Sequence, residues 1–255
     1  MTAEFIYPML IKLLKKWKAI VIGIALFFPT LLPAAESLPV GLFSTEPAGT
    51  GLPQEWEPLT FPKISKHTEY SLVVEDGQTV VKAVSQGGAS GLIRRIQIDP
   101  ESWPVLSWRW RVTNIYNAGD VTRKQGDDYP ARIYVTFQYD PDASGLFERL
   151  RYGAAKAIYG DYPPAAAINY IWANRAPEGN AVPNPYSDKA MMIAVESGDQ
   201  AAGRWVSERR NILEDFRRVF GKAPPPISGV AIMTDSDNTG ESATAWYGDI
   251  VFRRR

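Results

Sequence analysis

Along residues 69–85, EYSLVVEDGQTVVKAVS, apolar and polar side chains alternate on either side of Asp76-Gly77. A period of two puts successive side chains on opposite faces of a strand, and Asp-Gly supplies the positive φ that a tight hairpin turn requires. The spacing therefore predicts a β-hairpin. SGLIRRIQID and PVLSWRWRVT continue the pattern as two more strands. In the second, Leu106, Trp108, Trp110 and Val112 share one face, and Ser107, Arg109 and Arg111 the other. ARIYVTFQY divides the same way, with Ile133, Val135 and Phe137 against Arg132, Tyr134, Thr136 and Gln138. Further strands are expected in AAINYIWAN, KAMMIAVES, ISGVAIMTD and ATAWYGDIVF.

Two stretches change period. SERRNILEDFRRVFG places Ile212, Phe216 and Val219 at i, i+4, i+7, with Leu213 and Phe220 widening the stripe. Ser207 is the expected N-cap, and Gly221 with Pro224 the stop, so a helix is predicted over this run. SGLFERLRYGAAKAIYG brings Phe147, Leu150, Ala154 and Ile158 into helical phase around an internal Gly153. Short, regularly spaced strands, frequent turns and no alternation of strand with helix predict an all-β, antiparallel β-sandwich of jelly-roll type, with one or two short helices inserted. The segment NRAPEGNAVPNPYSDK, residues 174–189, is long for a connection and rich in proline, a pattern associated with functional loops.

The start of the chain stands outside this pattern. KLLKKWK at residues 12–18 is basic, and AIVIGIALFFPTLLPAAES follows as an apolar run ending in small residues. That order is the n-region, h-region and cleavage site of a secretory signal. The apolar run falls short of the roughly 20 residues a membrane-spanning helix needs, and Pro29 interrupts it. The expected organisation is a signal peptide over residues 1–35, cleaved after Ala35 or Ser37, and a single domain over residues 36–255. The expected location is a bacterial periplasm or the exterior, with no stable membrane span after cleavage.

Composition narrows the chemistry. Residues 1–35 hold four of the 28 Lys and Arg and one of the 28 Asp and Glu, which leaves 24 basic and 27 acidic side chains in the remainder. A balance this close provides no bulk attraction to nucleic acid. There is no cysteine, which excludes disulfides, thiol catalysis and thiolate metal sites. The single histidine, His67, leaves no multi-histidine zinc site, and no G-x-S-x-G elbow offers a serine for a triad. A hydrogen-bonded strand-edge role suits His67 better. No phosphate-binding loop lysine motif is present, and GTG at 49–51 lacks the rest of a dinucleotide fingerprint.

Carboxylates remain. Asp235, Asp237 and Thr239, followed by Gly240, match the opening of a calcium loop, in which oxygen ligands alternate before a sharp glycine turn. The acidic ligand expected at the twelfth position is replaced by Trp246, so a cage would have to recruit Asp249 or Glu241. A shorter copy occurs at Asp140, Asp142, Ser144 and Gly145. The same residue types also form turns by bonding their own backbone, and that simpler role is favoured at both places. Asp127 and Asp128 in QGDDYPAR could instead face the Asp235 cluster across a groove, as glycoside hydrolysis needs two opposed carboxyl groups. If the strands containing Arg109 and Arg132 are neighbours, then Arg109, Arg111, Arg132 and Tyr134 share one polar face. Such a face could fork-bond acidic or hydroxyl-rich ligands, or simply pair with acids on adjacent strands. Trp108 and Trp110 alternate in phase with core residues; Trp103, Trp172 and Trp246 are freer to line a binding surface.

PVLSWRWRV, DDYPARIYVTF, INYIWAN, GRWVSERRNILEDFRRVFG and GVAIMTDSDNTGESATAWYGDI together resemble a bacterial exported family catalogued as domain of unknown function 3047. The likeness covers nearly all of residues 38–253 and brings no catalytic residues with it. More loosely, a last strand ending in Asp-Ile resembles the jelly-roll, galactose-binding-like carbohydrate-binding modules. In those, an aspartate near the C-terminus helps to hold a structural calcium, and only Asp249 matches that position. The expectation is an exported, non-catalytic β-sandwich that binds a glycan or other polar cell-envelope component. Its expected ligand contacts are Arg109, Arg111, Asp127, Asp128, Arg132 and Tyr134, and its possible calcium ligands are Asp235, Asp237 and Asp249. The alternatives are a carboxylate-dependent glycan hydrolase or lyase, and an envelope protein that docks a protein partner through residues 174–189.

Overall fold

The computed structural model describes residues 36–255 apart from Thr50, Ala143, Gly160, Asp161 and Arg255. The signal peptide expected over residues 1–35 lies outside the described residues, as do the side chains of Phe147, Ala154 and Ile158.

The expected hairpin is present. β3 (Glu69–Glu75) and β4 (Gln78–Gln86) pair antiparallel, with Glu75 opposite Gln78. Asp76 and Gly77 both take positive φ, at 51° and 76°, which is the conformation that twists a two-residue turn to match its strands. β4 pairs with β13 (Ser242–Tyr247), and β13 with β6 (Val105–Val112). β14 (Ile250–Arg253) continues β13 along the same side of β6, with β1 (Ser37–Gly41) on its outer flank. The stretch predicted as one strand, ATAWYGDIVF, is thus bent in two. The bend lies at Gly248, where an added Cβ would come within 2.5 Å of the Arg109 side chain.

The second sheet runs β2 (Glu57–Leu59), β5 (Ala89–Ile98), β12 (Ile227–Asp235), β7 (Arg132–Phe137), β8 (Ala166–Ala173), β10 (Ser187–Ser197) and β9 (Ala181–Asn184). Among the described residues, pairing is antiparallel except for β8 with β10, which are parallel. The two sheets face one another, and their inward residues make one core: Trp108, Trp110 and Tyr247 from the first meet Ile133, Val135, Tyr170 and Trp172 from the second. Trp108 and Tyr170 lie 5.4 Å apart, and Trp110 and Trp172 5.9 Å. This is a β-sandwich with two short helices, the class that the strand spacing predicts.

Three expectations are corrected here. The helix predicted from Ser207 starts at Ile212 instead. Val206–Asn211 is a strand, β11, paired with the free edge of β6, and α2 (Ile212–Phe220) follows directly; α1 is Leu146–Tyr159. Ile212 and Phe216 are fully buried in the core, whereas nothing upstream continues that stripe. The cap is Asn211, whose side chain accepts from the Glu214 amide, and Gly221 ends the helix at φ 68°. Trp172, expected to be free for a surface, is completely buried.

The third correction concerns neighbours. β6 and β7 belong to different sheets, so the polar faces bearing Arg109 and Arg132 point away from opposite sides of the sandwich. Alternation in two strands is satisfied equally by pairing side by side or by packing face to face. Residues 113–131 make the crossing, and part of that loop covers the outer face of the second sheet. Val121 and Tyr129 pack there on Ile171, Ala173, Met192 and Ala194.

Candidate functional site

The outer face of the second sheet has a cleft where the crossing loop leaves it open. Its volume is about 700 Å³. Arg132 and Tyr134 of β7 lie in it with Met233 and Asp235 of β12, while Phe61 and Ile64 form one wall. Asn184 and Tyr186 form another, and Asp127, Asp237 and Asn238 close the end. Period two explains the floor: Arg132 and Tyr134 face outward because Ile133 and Val135 face the core.

Arg132 organises the polar end. It is almost fully buried, and its Nε donates to Asp235 Oδ1 at 2.7 Å while Nη2 donates to Asp235 Oδ2. Nη2 also donates to the Asp127 carbonyl at 2.6 Å, and Nη1 to the Tyr134 hydroxyl at 3.2 Å. Asp127 Oδ1 stands 3.5 Å from Nη1. The Tyr129 ring lies 4.4 Å from the guanidinium carbon. Four of the five guanidinium hydrogens are thereby bonded to groups of the protein itself.

The two loops that meet here are fixed by their own backbone chemistry. A 3₁₀ turn over Lys124–Gly126 delivers Asp127 and Asp128, and Gly126 passes so close to Asp120 that a Cβ would sit 2.6 Å from its amide nitrogen. After β12, Ser236 bonds Ser85 Oγ at 2.7 Å and accepts from the Gly87 amide at 2.8 Å. Asp128 then accepts from Asn238 Nδ2 at 3.1 Å and the Thr239 amide at 2.6 Å, which ties the loops together. Asn184 donates to Asp127 Oδ2 at 3.0 Å, and the Tyr186 hydroxyl donates to Asn238 Oδ1 at 2.8 Å.

Six of the residues singled out in the sequence converge here: Asp127, Asp128, Arg132, Tyr134, Asp235 and Asp237. Carboxylate oxygens of Asp128, Asp235 and Asp237 lie within 4.8 Å of one another, a spacing at which a cation could be held. The chemistry of the donor set argues for a different occupant: the Arg132 guanidinium already neutralises Asp235 at both oxygens, and Asp128 is held by an amide and a side-chain NH₂. Asp128 and Asp235 are each 1 % exposed, while Asp237 is open to solvent. Partial burial, followed by the negative charge of Asp128, raises the Asp237 carboxyl above the usual carboxylate range.

The remaining expected residues sit elsewhere. Asp249 accepts from the Ser44 amide at 2.8 Å and the Ser44 hydroxyl at 2.6 Å, pinning the segment after β1 to the bend before β14. It is not part of the acidic group around Asp235. Arg109 and Arg111 lie on the outer face of the first sheet in a ladder with tryptophans. Arg109 is 4.5 Å from the Trp205 ring, and Arg111 is 5.2 Å from Trp205 and 4.2 Å from Trp246. Cross-strand partners complete them: Gln78 at 2.6 Å for Arg109 and Glu75 at 2.7 Å for Arg111. The Asp140 carboxylate accepts from the Asp142 amide, a local turn, and exposed His67 bonds the Ile64 carbonyl at 3.1 Å.

Phe61, Asn184, Tyr186, Met233 and Asn238 were not singled out from the sequence. Asn184 and Tyr186 do fall in the proline-rich stretch 174–189, and that was the one signal available for them. Phe61 and Met233 read as ordinary apolar positions, and their place at a cleft is visible only in three dimensions.

The chain belongs to the family described as Protein of unknown function (DUF3047), whose model matches residues 54–251. No curated protein matches it. Among solved structures it is similar to a family 11 carbohydrate-binding module of the cellulosomal cellulase Lic26A-Cel5E of Clostridium thermocellum, at 9% identity and a TM-score of 0.45, covering 87% of this chain and 96% of that one. It is also similar to the family 30 module of the cellulase Cel9D-Cel44B of the same organism, at 14% identity and TM-score 0.38, over 86% and 98%. The xyloglucanase domain of NopAA, an effector from Sinorhizobium fredii, matches at 8% identity and TM-score 0.41, over 82% and 97%. Likenesses at this level leave the assignment of a ligand to the side chains of the cleft itself. Among the described residues, no helix is long and apolar enough to cross a membrane.

Proposed function

We propose that the protein is an exported glycan-binding module that holds its ligand in the cleft between β7, β12 and the 184–186 turn, and performs no chemistry there. The observation that supports this reading most is the mixed lining of the cleft. Phe61, Tyr134, Tyr186 and Met233 offer apolar and aromatic surface, and Asn184, Asn238 and Asp237 present polar groups beside it. A sugar ring has one apolar face and a rim of hydroxyls, which is the complement of that arrangement. The polar end is organised in advance by the Arg132 network, so little ordering accompanies binding.

Hydrolysis is the weaker alternative on the same geometry. A two-carboxylate mechanism needs both groups to reach the glycosidic bond. Asp128 and Asp235 are buried and fully engaged with protein donors, which leaves no accessible partner for Asp237 within the triplet.

The test is retention of the protein on insoluble polysaccharides, with the supernatants assayed for released sugar. Retention without release, lost on Tyr186→Ala, is expected. Sugar release abolished by Asp237→Asn would replace the binding module with an enzyme. Export is proposed on the basic and apolar leader alone; N-terminal sequencing of the protein from a periplasmic fraction should begin after Ala35 or Ser37.

A further inference from the structure

We infer that the outer face of the first sheet carries a second ligand site, whose ligand is an acidic polysaccharide held through its carboxylates by Arg109, Arg209 and Arg253. This face lies on the opposite side of the sandwich from the cleft and shares no residue with it, so the inference stands apart from the reading of the cleft. The first observation is where the unpaired arginines are. Among the described side chains, nine arginines pair with carboxylates and three bond backbone carbonyls. The remaining three gather on one face. Arg209 and Arg253 have no hydrogen bond or ion pair among the described residues, and Arg109 donates only to neutral Gln78, at 2.6 Å. Arg109 stands opposite Ser207, Arg209 opposite Ser107, and Ser107 opposite Val251, two residues before Arg253. Paired residues point to the same side of a sheet, so the three guanidinium groups rise from adjacent strands β14, β6 and β11, with Cα atoms about 8–14 Å apart from strand spacing and rise.

The second observation is the shape of that face. Arg109, Arg253, Ser107 and Ser207 line an open depression of about 520 Å³ with Leu42 at its rim. Arg109 is set in place for it. Its side chain lies flat across the bend at Gly248, where any Cβ would come within 2.5 Å, and the Trp205 ring covers the guanidinium at 4.5 Å. A stacked guanidinium still presents its edge, and that edge is the fork a carboxylate fits. Two acids stand in the wall, and neither supplies the missing counter-charge. Asp249 has both oxygens bonded to Ser44, and burial followed by the like charge of Glu196 raises the Glu208 carboxyl to about 8.

Charge complementarity selects the occupant. Three separated cations are matched by a ligand with repeated negative charge rather than by one small anion. Residues 36–255 nevertheless carry 24 basic and 27 acidic side chains, so a DNA duplex or an anionic bilayer would bring its whole charged surface against a protein that is negative in sum. A single polysaccharide strand can follow the depression and meet only the arginines. Its carboxylates match the planar forks, and its hydroxyls match Ser107 and Ser207 between them.

Binding isotherms of the protein would be compared on polygalacturonate, on its fully methyl-esterified and therefore uncharged form, on a short DNA duplex and on phosphatidylglycerol vesicles, all at one ionic strength. Binding to polygalacturonate is expected, weakened about tenfold by Arg209→Gln with Arg253→Gln, as for two lost exposed ion pairs. Neither arginine has a partner in the fold to lose, so the pair should unfold like the parent. The control is Arg95→Gln with Arg123→Gln, which removes the same charge from side chains 66% and 65% exposed outside this face and should change little. Tyr186→Ala should leave this binding unchanged, which keeps it distinct from the cleft. An equal loss in the control pair would reveal attraction to bulk charge and overturn the inference. So would equal binding of the methyl ester, because the carboxylates would then not be read. Tighter binding to the duplex or the vesicles, lost in the Arg209 and Arg253 variant, would reassign the face to nucleic acid or lipid. Loss on Tyr186→Ala alone would move the acidic polymer to the cleft, and no binding to any probe would remove the second site while leaving the cleft untouched.

Discussion

Arg132 on β7 and Asp235 at the end of β12 form a two-point ion pair on adjacent strands, with both side chains only 2% exposed. Burying two charges in this way is tolerable because two of the remaining hydrogens find the Asp127 carbonyl and Tyr134. Removing one partner leaves the other charged and buried. Arg132→Ala or Asp235→Ala should each lower stability by about 3–5 kcal/mol, measured by urea unfolding. Arg132→Met combined with Asp235→Leu should recover much of that loss. A single variant as stable as the parent would show that the pair does not organise the loops.

Tyr186 is 58% exposed, so truncating it removes little packing. Tyr186→Ala should leave the unfolding midpoint within about 0.5 kcal/mol of the parent. It should weaken glycan binding by about two- to twelvefold, the range expected for one lost aromatic contact of about 0.5–1.5 kcal/mol. Binding isotherms alongside the unfolding curves separate the two effects.

Glu208 on β11 and Glu196 on β10 share a hydrogen bond between their carboxyl groups, with Glu178, Arg204 and Arg210 nearby. Burial, and then the like charge of Glu196, pushes Glu208 up to about 8 from 4.5. Because the folded state keeps a proton that the unfolded chain releases, the contribution is complete below about pH 4.5 and is lost as pH rises through about 8. Thermal melts of the parent should fall across that window, and Glu208→Gln should flatten the fall. An unchanged slope would show that the pair ionises normally.

Asp235 is neutralised by Arg132, and Asp249 is held by Ser44, so neither needs calcium to be satisfied. Adding millimolar calcium or a chelator should shift the melting temperature by less than about 1 °C, since an ion that binds only the folded state would raise it in proportion to ln(1 + [L]/Kd). Asp249→Ala should instead destabilise by about 1–3 kcal/mol through the lost Ser44 contacts, with or without the ion.

Alternation and turn chemistry are local properties, and they were legible. The Asp76-Gly77 hairpin, the strands around Trp108, Val135, Ile168, Ile193 and Ile232, and the Gly221 stop of α2 follow from residues within a few positions of one another. The start of α2 was not legible, because the Ser207–Asn211 run looks like a capped helical turn until the free edge of β6 is there to pair with it. Pairing is a contact between residues about a hundred positions apart, and no local pattern encodes it.

The same distinction divides the site. That the Asp127, Asp128, Arg132, Asp235 and Asp237 stretches hold chemistry could be read from composition, because acids and an arginine recur beside turn-formers. Which of them meet could not. The chain alone determined which face of each strand is polar; the stacking of the two sheets decided which polar faces share a surface. That stacking sent Arg109 and Arg111 to a tryptophan ladder on the outer side of the first sheet and brought Arg132 to the aspartates on the second. Burial is a property of the assembled sandwich, and it turned Arg132 from a candidate ligand contact into the fixed counter-charge that shapes the cleft.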